Sequence, residues 1–217
     1  WVAGCSTGEE VYTLAIIISR LLRASNAEWD VKIFGTDLSA EAVEIASRGI
    51  YDESIVADIP RDDLSTYFTK VPTGYQVSHL LRKMVVFARH ELLNDPPFTR
   101  LDLITCRNVL IYFQPVLQSK VLSTFQFALK PNGYLFLGTS ETPGAAADRF
   151  ETIDSRNKLY RKSQNSMPQL ALVAQRLELP HRYSDGAARR QTSASAMRAQ
   201  FSNLEKLYTG IIDDYAP

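Results

Sequence analysis

Apolar positions along the chain follow two alternating rhythms. Short apolar runs at 31–36, 84–88, 101–105 and 134–138, with the end of another at 1–3, have the length and β-branched bias of buried strands. Between them the spacing turns helical: Val11, Leu14, Ala15, Ile18, Leu21 and Leu22 share one face. A second helix spans 40–48, with Ser39 placed to cap it and Gly49 to stop it. Pro115 opens a third, carrying Val121, Leu122, Phe125 and Leu129. A turn is expected at 130–133, and 150–153 with 158–161 pair as a closing antiparallel hairpin across 155–157. This alternation predicts an α/β fold: a doubly wound, Rossmann-like, mostly parallel sheet over 1–162.

Two segments break the rhythm. Over 50–83, Pro60 opens a short helical turn, and 67–71 and 75–77 read as a hairpin across Pro72-Thr73-Gly74. This small inserted β-subdomain, about 64–83, either offers a sheet edge to an extended peptide or is an ordinary packing hairpin. From 163 to 199 the composition shifts to Ser, Ala, Gln and Arg, as in a disordered linker. Phe201, Leu204, Tyr208, Ile211 and Tyr215 then make a two-heptad seam interrupted by Gly210, so 200–217 reads as the start of a helical connector to a further domain. The opening at Trp1, mid-strand and without Met, suggests a piece of something longer.

The 217 residues carry 24 Lys+Arg and 24 Asp+Glu, a balance that argues against a nucleic-acid partner. The two cysteines, Cys5 and Cys106, lack metal-type spacing and suggest free thiols in a reducing, cytoplasmic setting. The three histidines are scattered, no metal site is expected, and no apolar stretch suits membrane insertion.

Candidate chemistry gathers where the strands end. After the first strand, residues 4–8 are all small, and Ser6 with Glu9 has the spacing of a capping box opening a helix. Strand, small-residue turn and helix start form a cofactor cradle, or ordinary α/β packing. Asp37 ends the second strand, where a carboxylate can accept both hydroxyls of a ribose; a helix-capping Asp is the alternative. Glu91-Leu92 follows the third strand and Asn108-Val109 the fourth, so one crevice would be lined by all four tips. A nucleoside suits it, with adenine between Leu38 and Leu92. Glu9 and Glu10 at the helix start repel phosphate but can hold an ammonium group, which points to S-adenosylmethionine rather than a nicotinamide dinucleotide.

Four stretches resemble the CheR family of chemotaxis receptor glutamate O-methyltransferases: WVAGCSTGEEVYTLA, the GTDLS segment running on to ASRGIY, CRNVLIYF, and LKPNGYLFLGTSE. The resemblance covers about 1–162, and NDPPF with the Ser/Arg-rich tail is more like hybrids that add a CheB-like methylesterase and sensory PAS domains. It implies methyl transfer from S-adenosylmethionine to glutamates of a methyl-accepting receptor. It implies cofactor contacts at Gly4, Cys5, Glu10 (amino group), Asp37 (ribose), Leu38, Glu91, Leu92, Asn108 and Val109, with Tyr112 facing the methyl as the catalytic residue. The family usually has Asn at the position of Glu91, and its N-terminal helical region would lie upstream of Trp1, so this piece alone is expected to have little activity. Two rivals remain. Asp95-Pro96-Pro97-Phe98 mimics the motif of base-amino methyltransferases, although its place before the 101–105 strand suggests the side away from the crevice. The other is a non-catalytic module binding cofactor or receptor.

Overall fold

The structure, a computed structural model, describes residues 1–25 and 29–163. In chain order its elements are β1 (Val2–Ala3), α1 (Glu9–Ser25), β2 (Ile33–Asp37), α2 (Ala40–Arg48), β3 (Ile50–Tyr51), α3 (Arg61–Tyr67), β4 (Phe68–Val71), β5 (Gly74–Val77) and α4 (His79–Arg82). There follow β6 (Val85–Arg89), β7 (Leu101–Cys106), α5 (Pro115–Ala128), β8 (Leu129–Leu137), β9 (Phe150–Asp154) and β10 (Leu159–Lys162). One seven-stranded sheet runs β6-β2-β1-β7-β8-β10-β9. The first five strands are parallel, and β10 pairs antiparallel with both β8 and β9, as expected for the doubly wound fold and its closing hairpin.

The chain steps from β1 through β2 to β6 in one direction, then returns to β7 on the other side of β1. The strand order therefore reverses between β1 and β7, the position at which open α/β sheets place their ligands. Side chains of β1 alternate across the sheet. Trp1 and Ala3 join the core under α5, with Ile104, Val121, Leu122 and Phe125, while Val2 joins Val11, Ile17 and Leu81 on the α1 face.

Helix α1 buries Val11, Leu14 and Ala15 of the expected stripe together with Tyr12, Ile16, Ile17 and Ser19, while Ile18, Leu21 and Leu22 are half-buried. It has the sheet beneath it and α4 beside it, and Tyr67 and Val77 of the inserted segment enter the same core. Ser39 caps α2 by accepting from the Ala42 N–H, and Gly49 ends it in left-handed backbone. The insertion holds a three-stranded sheet, β3-β5-β4, whose third strand is the two-residue β3. Pro60 opens α3 as read, but Tyr67 closes that helix rather than starting a strand. Residues 130–133 are absorbed into an irregular β8, with Asn132 in left-handed backbone and a register shift against β7 between Leu101 and Leu103. Ser163 aside, the expected linker and heptad seam lie outside the described residues. Among the described residues no helix is long and apolar enough to cross a membrane.

Candidate cofactor site

The loop after β1 is fastened to the end of β2. Gly4 and Cys5 both donate their N–H groups to the Thr36 carbonyl, at 2.8 and 2.9 Å. Gly4 has φ +76, and a Cβ there would fall inside a methyl of Val109, so only glycine admits that close approach. The Ser6 N–H donates to Asp37 Oδ2 at 2.8 Å, and the Ser39 N–H to Oδ1 at 2.9 Å. Each Asp37 oxygen keeps a lone pair for a ligand.

The capping box read from Ser6 and Glu9 does not form. Among the described residues no hydrogen bond joins the two; α1 starts at Glu9, and the Thr7 hydroxyl reaches the Glu9 carboxylate at 2.7 and 2.8 Å. Asp37 takes the Ser6 N–H that a capping box would give to the Glu9 carboxylate, and Glu9 is engaged by the Thr7 hydroxyl instead. The Tyr51 hydroxyl, from β3, donates to the Thr7 carbonyl at 2.8 Å, so the inserted sheet also holds this loop.

Glu10 spans the point where strand order reverses. Thr105 of β7 donates its hydroxyl to Glu10 Oε1 at 2.6 Å, and Arg107 Nη1 lies 3.7 Å from Oε2. The Glu10 and Arg107 side chains are 25% and 22% exposed, and the guanidinium also lies over the Phe136 ring at 5.1 Å. Burial raises the Glu10 carboxyl above its ordinary range, opposed by the Thr105 hydrogen bond and the Arg107 charge. Burial, and then the charge of Asp37, pushes the Cys5 thiol up to about 12, and burial lifts Cys106 well above its usual value. Both cysteines are free, buried and neutral at pH 7, so neither supplies a thiolate nucleophile.

At the tip of β6, His90 donates its backbone N–H to the Asp37 carbonyl at 2.9 Å. The Glu91 N–H then donates to Asp95 Oδ2 at 2.7 Å, and the Asn94 side-chain amide binds the Glu91 carboxylate. Asp95 therefore lies beside Glu91 at the crevice end of the sheet. The expectation that Asp95-Pro96-Pro97-Phe98 sits on the far side is corrected, because Asp95 folds back to close the turn. Phe98 drops into the core against Phe34, Trp1 and His90. Leu92 is half-buried against that core, whereas Leu38 is 57% exposed.

The loop after β7 is held from below. Asn108 has φ +57, and the N–H groups of Asn108, Val109 and Leu110 donate to the Glu141 carboxylate at 3.1, 2.9 and 2.7 Å. Gly138 adds a fourth N–H at 2.7 Å, and Glu141 is 4% exposed. From above, the Gln118 side-chain amide donates to the Leu110 and Phe113 carbonyls, each at 3.0 Å. Tyr112, at the end of the intervening 3-10 turn, is 81% exposed and free to meet a ligand. Sequence reasoning singled out neither Arg107 nor Glu141. Arg107 stands inside the quoted CRNVLIYF block, and a basic side chain next to Asn108 was the available signal.

Hydrogen bonds and packing thus link residues of the four tips: Gly4 to Val109, Ser6 to Asp37, Asp37 to His90 beside Glu91, and Glu10 to Thr105. Opposite charges side by side at Glu10 and Arg107, a carboxylate with open lone pairs at Asp37, and flanking leucines fit a nucleoside joined to a zwitterionic amino acid.

The chain is 42% identical over 160 residues to an uncharacterised 104.1 kDa protein of Rhodobacter capsulatus, covering 74% of this chain and 17% of that protein. It is 36% identical over 173 residues to a putative methyltransferase, Cher3, of Pseudomonas putida, covering 75% of this chain and 62% of that one. A chemotaxis protein methyltransferase of Borreliella burgdorferi is 37% identical over 145 residues, with 65% of this chain and 51% of that one covered. The chain therefore spans less than two thirds of the length of these relatives. Among solved structures, a TehB-like SAM-dependent methyltransferase of Corynebacterium glutamicum overlaps at a TM-score of 0.44 with 14% identity, over 75% of this chain and 79% of that one. The family described as "CheR methyltransferase, SAM binding domain" matches residues 1–159, and the chain belongs to that family.

Proposed function

We propose that the protein containing this chain transfers a methyl group from S-adenosylmethionine to glutamate side chains of a methyl-accepting chemotaxis receptor. S-adenosylmethionine is the cofactor of the family, and when bound it supplies an electrophilic methyl on a cationic sulfur. The observation that carries the reading is the Glu10–Arg107 pair at the strand-order reversal, an anion and a cation 3.7 Å apart beside a small-residue loop. Glu10 holds the ammonium and Arg107 the carboxylate of the amino-acid end. Asp37 accepts the ribose hydroxyls with the lone pairs left by Ser6 and Ser39. Gly4 and Cys5 form the floor, Leu38 and Leu92 flank the adenine, and Asn108 and Val109 close the opposite wall. Glu91 contributes least, since Asn94 already engages its carboxylate.

Tyr112, on the exposed rim, orients the incoming glutamate. A glutamate is already ionised near neutral pH, so no general base is needed. That agrees with a crevice whose cysteines are neutral and whose His90 is packed against Trp1 and Phe98. The chain's task is to bring a carboxylate oxygen in line and exclude water, which can account for several kcal/mol. The three-stranded insertion serves as the receptor-side surface. A parent protein with CheB-like and PAS-like domains is part of this proposal, and the 104.1 kDa relative, matched over 17% of its length, is long enough to hold further domains.

The test is tritiated-methyl transfer to receptor-containing membranes by the full-length parent. Base-labile label on receptor glutamates is expected. Absence of label from a parent that binds S-adenosylhomocysteine would leave only the binding-module reading.

A further inference from the structure

We propose that Glu141 is a positioning residue for this crevice, its buried carboxylate setting the backbone of 108–110 in the shape that the cofactor wall requires. The proposal rests on the cofactor reading above. An ionised carboxylate has about four lone-pair sites and no donor. Here four N–H groups fill them: Val109 and Leu110 on Oε1, Asn108 and Gly138 on Oε2.

Asn108 is held at φ +57, which an isolated loop would seldom choose. The clamp also reaches the first loop, because Val109, whose N–H it holds, packs directly on Gly4. Gly138 is part of the same device. A Cβ there would lie 2.5 Å from Asn108 Oδ1 and 2.8 Å from both the Asn108 nitrogen and Glu141 Oε2. Glu141 itself is buried away from any ligand, so it acts through Asn108 and Val109.

Glu141→Gln and Glu141→Asp separate this role from mere space filling. Gln keeps the size but turns one oxygen into a donor facing donors. Asp keeps the charge and the acceptors on a stem one methylene shorter. The 217-residue chain and both variants would be compared by amide hydrogen exchange without ligand and by calorimetric titration with S-adenosylhomocysteine, with circular dichroism checking the fold. The expected result is faster exchange at Asn108, Val109, Leu110 and Gly138, with affinity falling in the order Glu, Asp, Gln. Gln should be weaker by about 30-fold, as for buried amides left without an acceptor.

Gln binding better than Asp overturns the proposal, since size would then matter more than acceptors. Faster exchange with affinity within about threefold of the original also overturns it, and leaves the cofactor reading intact. If Gln does not fold, Asp decides by the same joint criterion. A parent chain with these amides protected that takes up no S-adenosylhomocysteine refutes the cofactor reading, and the proposal with it.

Discussion

Two carboxylates hold the loops on either side of the crevice, and they do it differently. Asp37 accepts two backbone N–H groups, is half-buried, and keeps one lone pair on each oxygen. Glu141 accepts four, is almost fully buried, and has nothing left to offer a ligand. On the reading proposed above, the same chemistry serves recognition on one side and scaffolding on the other. Solvent exposure and the number of donors already satisfied tell the two apart; residue type does not.

The largest expected effect falls on the recognition side. Asp37→Ala removes two charge-assisted acceptors for ribose and frees the Ser6 loop, so S-adenosylhomocysteine affinity should fall by about 100-fold in calorimetry. Affinity within a few-fold of the original would break the comparison, reducing Asp37 to a second scaffold.

Glu10→Gln comes next, at about 30-fold weaker binding for the loss of one charged partner. Its pH dependence carries more information. Burial raises the folded-state carboxyl, so the folded chain prefers Glu10 protonated; that contribution is fully present below the ordinary value of 4.5 and lost as pH rises through the raised one. The Gln variant should therefore melt higher than the parent at pH 7, with the gap closing below pH 4.5. Cofactor-analogue binding needs the ionised form, so the parent's affinity should fall on acidification while that of Gln stays flat. Thermal melts and titrations across pH 4 to 8 check both signs, about the span over which carboxyl groups with normal and raised values titrate. Tyr112→Phe should lower turnover of the full-length parent by about 10-fold, in line with loss of one orienting hydrogen bond. Affinity and melting temperature should hold, because the side chain is 81% exposed.

Much of the fold was legible because strand, helix and cap signals are local. The parallel core, Ser39 and Gly49 at the ends of α2, and Asp37 at a strand tip all follow from short-range pattern. The expectations that needed revision depend on partners far along the chain. The Ser6–Glu9 motif lost to a carboxylate 31 residues on, and β3 is two residues that become a strand only beside β5. Glu141 ends a polar G-T-S-E stretch with no periodicity, and its partners at 108–110 lie 31 to 33 residues earlier. The Glu10–Thr105 bond joins residues 95 apart. Sequence could place such groups at the right end of the sheet, but not say which would face the cavity.

The smallest expected effect tests a third carboxylate against this pair. Asp95 accepts the Glu91 N–H, while the Asp95 N–H returns to the Glu91 carbonyl at 2.9 Å, so the side chain and backbone close one turn. It is exposed and engages one local amide, four residues earlier in the chain. Asn keeps an acceptor oxygen for that one bond. Asp95→Asn should therefore leave S-adenosylhomocysteine affinity and parent turnover within about threefold, less than 1 kcal/mol. A base-amino transferase reading demands the opposite, since there the Asp of the Asp-Pro-Pro-Phe motif would contact the target amine. Turnover lost with affinity retained would move Asp95 from the turn into the chemistry and overturn the proposed receptor-glutamate acceptor.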